Sequence, residues 1–213
     1  SPARHGSKWR KPADSFLASH DGIGLRPTEG ILDDAERERL VEATLARGGK
    51  VGFRTAADGS KTPYELNINY LDALSPPVAS DAERAARSLA AHAILLSLDG
   101  VPGIYIHSLL GSRNWARGVA ESGIPRRVNR EKLDLKALLA ELDSPGLRQT
   151  VFSRLCALIR LRRSLPALGP GSPQEVLFLD PRVLALARGR PGSGRVLALV
   201  NVSDQTLDLR APW

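Results

Sequence analysis

A chain of 213 residues with 42% hydrophobic content can bury a core in one large domain, or in a medium domain with a small appendage. Its one cysteine, Cys156, excludes an intrachain disulfide and a cysteine-based metal cluster, and four histidines without ligand spacing point to no metal site. The net charge of +7 is carried by arginine, but Glu36-Arg37-Glu38-Arg39 and Glu83-Arg84 interleave the signs and aromatics make up only 5%, so nucleic acid is not an expected partner.

The first fourteen residues, with Pro2 and Pro12, read as a loop that also holds His5. Ser15 to Ser19 then form a short apolar strand that ends in His20-Asp21 and in the glycines Gly22 and Gly24. A carboxylate and an imidazole at the carboxyl end of a buried strand are where α/β barrels place their chemistry. The same Asp-Gly step also suits a turn capped by Asp21, and both readings stand on the local residues alone.

A helix is expected from Asp33 or Asp34 to Arg47, stopped by Gly48-Gly49. Residues 50 to 63, rich in Gly, Asp, Ser and Thr, read as an exposed connection, and Pro63 to Leu74 as irregular or briefly extended. Ser80-Asp81-Ala82-Glu83 has the pattern of a capping box and opens a helix, containing His92, to about Leu98, where Asp99-Gly100 stops it. Val101 to Ile106 reads as a second buried strand that ends near His107-Ser108. Strand, helical excursion and strand make a parallel crossover.

Ser144-Pro145 begins a last long helix with Leu147, Val151, Leu155 and Leu158 on one stripe, and Pro166 ends it. Cys156 in that helix reads as a small buried hydrophobe. From Gln174 the period becomes two, and four short strands are expected: Glu175 to Leu179, Val183 to Arg188, Val196 to Asn201 and Thr206 to Leu209. They form a small antiparallel module. Asn201-Val202-Ser203 reads as a turn in preference to a glycosylation site.

No signal-like leader or stretch of membrane-spanning length is present, so a soluble, cytoplasmic protein without a membrane partner is expected. Methionine is absent, including at position 1, so a piece of a longer protein is expected.

Four blocks occur in order: residues 18–24 (ASHDGIG), 63–70 (PYELNINY), 100–105 (GVPGIY) and 126–130 (RRVNR). Together they resemble the sucrose phosphorylase subfamily of the α-amylase superfamily, glycoside hydrolase family thirteen. Residues 25–32 (LRPTEGIL) and 122–127 (SGIPRR) look most like its glucosylglycerate phosphorylase branch. The resemblance implies an α/β chain: the C-terminal part of a (β/α)8 TIM barrel, strands seven and eight with their helices, over residues 1–168, and a small antiparallel β domain over 169–213. It also implies a retaining phosphorylase that moves glucose from an α-glucoside, here glucosylglycerate, through a covalent glucosyl-enzyme to inorganic phosphate. Sucrose phosphorylase or another glucosyl transferase, and a non-catalytic carbohydrate-binding module, are the alternatives. The partners implied are a small sugar and phosphate as co-substrate, with no cofactor; a homodimer is the candidate assembly of the whole enzyme.

Residue by residue, Asp21 matches the carboxylate that stabilises the oxocarbenium-like transition state, where a fixed anion faces growing positive charge. His20 matches its sugar-binding neighbour, Arg126 an arginine that clasps the glucosyl ring, and Tyr64 a loop tyrosine whose hydroxyl donates to phosphate. Glu65 stands where the family has glutamine near the acceptor subsite, so it faces the acceptor or points away. Arg127 stands where sucrose phosphorylases have an acid, and its charge suits an anionic acceptor such as glycerate. His107 ends the eighth strand. The family's nucleophile and acid/base match nothing in this sequence and are expected upstream of it.

Overall fold

The computed structural model describes residues 14–55 and 57–209. The first thirteen residues, with their expected loop and His5, lie outside them.

Strand β1 (Asp14–Phe16) pairs in parallel with β5 (Val101–Gly103), with Asp14 opposite Val101 and Phe16 opposite Gly103. The excursion between them contains helix α1 (Asp34–Ala46), strands β2 (Ile23–Gly24), β3 (Lys50–Thr55) and β4 (Lys61–Asn67), the short helix α2 (Tyr70–Ala73) and helix α3 (Asp81–Ser97). Both long helices start as their sequences dictate. Asp33 and Glu36 close a capping box on α1, and Ser80 and Glu83 do so on α3, each satisfying two backbone N–H groups.

The expected exposed connection over residues 50 to 63 is wrong. Those residues are most of a hairpin, order β2-β4-β3, that continues through Asn67. Only its tip is a loop: Asp58 Oδ1 accepts from the backbone N–H and hydroxyl of Ser60, and Gly59 takes φ +81°. The outer half of the hairpin is exposed, so no apolar alternation announces it. The ladder carries a bulge, since Gly52 pairs with Glu65 but Phe53 pairs with Pro63, which leaves Tyr64 as the extra residue.

The second strand is shorter than expected. It ends at Gly103, and helix α4 (Ile106–Leu109) takes up His107. Two further helices that lack strong sequence signals follow, α5 (Ala116–Ser122) and α6 (Leu135–Asp143), before α7 (Leu147–Ser164). Helices α3 and α7 pack side by side. Val151 and Leu155 on the predicted stripe of α7 have no exposed surface, and Leu71, Ala85, Leu95 and Leu96 are buried with them. Cys156 is only partly buried.

Three strands follow, β6 (Gln174–Leu177), β7 (Val183–Arg188) and β8 (Val196–Asn201), in an antiparallel sheet. The expected fourth strand over Thr206 to Leu209 does not form. The Asn201 side-chain amide donates to the Gln205 carbonyl at 2.7 Å, and among the described residues β8 is the edge of the sheet. This sheet is fastened to α3 by Arg188. Its guanidinium is fully buried and donates to the carbonyls of Ser97, Gly169 and Ser172 and to Asp99.

Candidate active site

The site is built where the chain leaves β1. After Phe16 it bends at Leu17 and again at His20-Asp21, and then enters the hairpin sheet through β2. Gly22 is required by contact. A Cβ there would lie 2.6 Å from both the Glu65 side chain and the Leu66 carbonyl oxygen. The missing side chain lets the Asp21 loop press against β4.

Asp21 carries the central carboxylate. Its Oδ1 accepts from Arg130 Nη2 at 2.9 Å and stands 3.4 Å from Arg126 Nη1. His20 Nε2 lies 3.5 Å from Oδ2, and the Asp21 side chain keeps 41% of its surface open. Two guanidinium groups therefore flank an accessible anion without covering it. Such a group offers negative charge to whatever sits over the loop, at a position fixed before anything binds.

Glu65 neither faces an open acceptor space nor points away from the site. It is buried, and its two oxygens accept from Arg126 Nε (3.1 Å) and Nη2 (2.9 Å). A two-pronged pair of this kind fixes the guanidinium plane as well as its place. The Glu65 hydrogen bond and charge raise the Arg126 guanidinium pKa above its ordinary value, with Asp21 adding a smaller contribution in the same sense.

Asn129 and Arg130 complete the loop's support, and sequence reasoning passed over both. Arg130 Nε donates to the His20 carbonyl at 2.6 Å while its Nη2 holds Asp21. Asn129, buried, donates to the Ser19 carbonyl at 2.7 Å and more weakly to that of Asp21 at 3.4 Å. The available signal was the five-residue run 126–130, of which only the first two residues were given roles.

Tyr64 and Arg127 stand apart from this cluster. The Tyr64 ring lies over Gly52 and lines a cavity of about 350 Å³ with Arg26, Glu29, Phe53 and Arg54. The cavity beside Asp21, about 210 Å³, is lined instead by residues 16–19, Ile68, Tyr70 and Asn129. Arg127 places its guanidinium 5.7 Å from the centre of the Trp115 ring, a cation–π contact. His107 is buried in α4, where it meets Ser112 Oγ at 2.9 Å; burial holds its pKa below the ordinary value, and the nearby Arg148 adds to this. It supports the fold and does not line the cavity beside Asp21. Among the described residues no group of three or more His, Cys, Asp or Glu side chains could hold a metal, and no helix is long and apolar enough to cross a membrane.

The open Asp21 carboxylate between two arginines thus lies in the loop that follows the parallel β1–β5 pair. A solved sucrose 6F-phosphate phosphorylase from Thermoanaerobacter thermosaccharolyticum superposes with a TM-score of 0.74 over 89% of this chain and 36% of that one, at 22% identity. At that identity the likeness shows the fold, and in sequence the chain is homologous to glucosylglycerate phosphorylases and more distantly to sucrose phosphorylases.

Among these homologues, the glucosylglycerate phosphorylases are highly similar to it. The enzyme of Spirochaeta thermophila is 46% identical over 191 residues, covering 89% of this chain and 32% of that protein. That of Escherichia coli is 44% identical over 190 residues, covering 89% and 34%. Sucrose phosphorylases align at lower identity, 31% and 28% in two bacterial examples. No family model matches the chain. The chain spans about a third of the length of the curated relatives it matches.

Proposed function

We propose that this chain is part of a retaining glycoside phosphorylase that transfers glucose from glucosylglycerate to inorganic phosphate, giving α-glucose 1-phosphate. The observation that carries the reading is Asp21: an accessible carboxylate held between Arg126 and Arg130, in a chain 44–46% identical to glucosylglycerate phosphorylases. In this reading residues 1–168 supply the last two strands of a (β/α)8 barrel, and residues 169–213 a small β domain behind it. The exposure of Phe16 and Val101 on the two-stranded β1–β5 sheet supports that placement, because a lone parallel pair leaves both edges unpaired.

The chemistry assigned to this chain is electrostatic. As the glycosidic bond breaks, positive charge grows on the anomeric carbon and ring oxygen, and the Asp21 carboxylate lowers the energy of that state. His20 and Arg126 hold sugar hydroxyls beside it. Tyr64, on its bulge at the hairpin, is assigned the incoming phosphate and Arg127 an anionic acceptor, roles that require each side chain to leave the place it holds here, over Gly52 and against Trp115. No cofactor enters, since phosphate itself is the attacking co-substrate. In this reading the attacking carboxylate and the proton donor are assigned to the remainder of the complete protein, since the motifs expected for them match nothing in these residues.

The test is phosphorolysis by the complete protein, with glucosylglycerate and sucrose assayed side by side. The expected result is turnover of glucosylglycerate well above that of sucrose, and a fall in kcat of about 10³-fold on Asp21→Asn with the melting temperature held. Near-normal turnover by the variant would overturn the role given to Asp21, and a preference for sucrose would overturn the acceptor.

A further inference from the structure

Three asparagine side chains run in series from the end of α1 to the Asp21 loop. Asn114 Nδ2 donates to the Arg47 carbonyl (2.9 Å), and Asn114 Oδ1 accepts the backbone N–H of Asn69 (2.8 Å). Asn69 Oδ1 accepts the N–H of Leu71 (3.1 Å), which caps α2, and Asn69 Nδ2 donates to Asn129 Oδ1 (3.2 Å). Asn129 Nδ2 then donates to the Ser19 and Asp21 carbonyls.

The direction of this chain is determined. A backbone N–H can only donate, so Leu71 forces the oxygen of Asn69 toward itself and the nitrogen toward Asn129. Asn129 must meet that nitrogen with its oxygen, so its own N–H bonds face the Asp21 loop. Asn69 and Asn129 are 2% and 4% exposed, so water does not substitute for these bonds. Tyr105 adds a second restraint, its hydroxyl donating to the Asn129 backbone carbonyl at 2.8 Å.

We propose that Asn129 is a positioning residue for the reaction, acting through the backbone of residues 19–21 to hold the Asp21 carboxylate at the angle the transition state needs. It is buried, and its side-chain polar atoms bond only the Ser19 and Asp21 carbonyls and the Asn69 side chain, so it acts on the carboxylate through the loop. A displacement of the carboxylate by about 1 Å is enough to cost about 10²-fold in rate. The kinetic part of this inference rests on the function proposed above.

The test is Asn129→Asp in the complete protein. The change preserves shape but turns the donor toward two carbonyl oxygens into an acceptor, which repels them. Three results are expected: kcat for glucosylglycerate phosphorolysis falls about 10²-fold, KM moves less than about threefold, and no further loss appears when the change is added to Asp21→Asn. A kcat within about threefold of the parent, or a full additional loss in the double variant, would overturn the proposal, since a residue that only stabilises the fold gives one or the other. Should Asn129→Asp not fold, Asn69→Asp reverses the same chain one bond earlier and is held to the same criteria. If the parent protein phosphorolyses no glucosylglycerate, the functional reading fails, and amide exchange decides the positioning role. Exchange of residues 19–22 rises at least about tenfold in the variant, with that of α7 unchanged, if Asn129 holds the loop; equal exchange overturns it.

Discussion

Glu65 and Arg126 meet through two hydrogen bonds that join strand β4 to the turn over residues 125–129, the carboxylate buried and the guanidinium standing 3.4 Å from Asp21. The pair makes Arg126 a fixed element of the site. Arg126→Lys keeps the charge but loses the planar fork, so kcat/KM for phosphorolysis is expected to fall about tenfold or more with little change in melting temperature. Glu65→Gln weakens the same clamp and is expected to act in the same direction. Steady-state kinetics of both variants beside thermal melts check this, and unchanged kcat/KM in Arg126→Lys would show that the fork has no function.

Gly22 has no room for a side chain. Gly22→Ala sets a methyl against the Leu66 carbonyl oxygen and the Glu65 side chain, so either the loop or β4 must move. The expected cost is about 1–3 kcal/mol of stability. Because the loop carries Asp21, activity should fall further than the loss of folded protein explains. Urea melts combined with rates per folded molecule separate the two effects.

Asp72 sits at the buried meeting point of three segments. It accepts from Arg84 at 3.2 Å, Arg113 at 2.5 Å and the Asn114 backbone N–H at 2.6 Å. Asp72→Ala leaves the Arg84 guanidinium, itself 5% exposed, without its anion, although the Ala79 and Pro77 carbonyls still accept from it. A loss of about 3–5 kcal/mol is expected. Denaturant unfolding measures it, and a change under about 1 kcal/mol would contradict the burial of this pair.

His92 makes stability depend on pH. It lies 1% exposed in α3, edge-on to Tyr70, with Nδ1 against the Ser88 carbonyl at 2.7 Å. Burial holds its pKa below the ordinary 6.5, and the Ser88 contact offsets this only in part. The unfolded chain therefore takes up a proton more readily than the folded one. The stabilising contribution is complete above pH 6.5 and is lost as the pH falls below it, at no more than about 1.4 kcal/mol per pH unit. His107 shifts in the same direction and steepens the slope. Melting temperatures from pH 7 to 5 should fall more steeply in the parent than in His92→Gln; parallel slopes would rule His92 out.

Elements fixed by local chemistry were legible in the chain. The capping residues Asp33 and Ser80, the stripe containing Val151 and Leu155, and the alternation in β7 each act within a few residues, so their patterns survive in one dimension. The hairpin over residues 50–67 was not legible in its first half. Its outer strands face solvent and carry charged or small residues, and it is held by ladder bonds between strands rather than by an apolar face. Thr206 to Leu209 alternate as a strand would, yet they do not join the free edge of β8, and alternation alone does not supply ladder bonds.

By itself, then, the sequence marked the positions of the candidate residues. Asp21 stands after a short strand, and the run 126–130 supplies basic groups, because residue type and order in the chain are enough to mark such positions. Only the tertiary structure decided what each residue does to the others. It turned Glu65 into the partner of Arg126, set Arg127 over Trp115, and brought Asn129 and Arg130 across more than a hundred residues to hold the Asp21 loop. Hydrogen bonds act over about 3 Å in space, whatever the separation along the chain, so the partners of a buried polar group are settled only when the chain has packed.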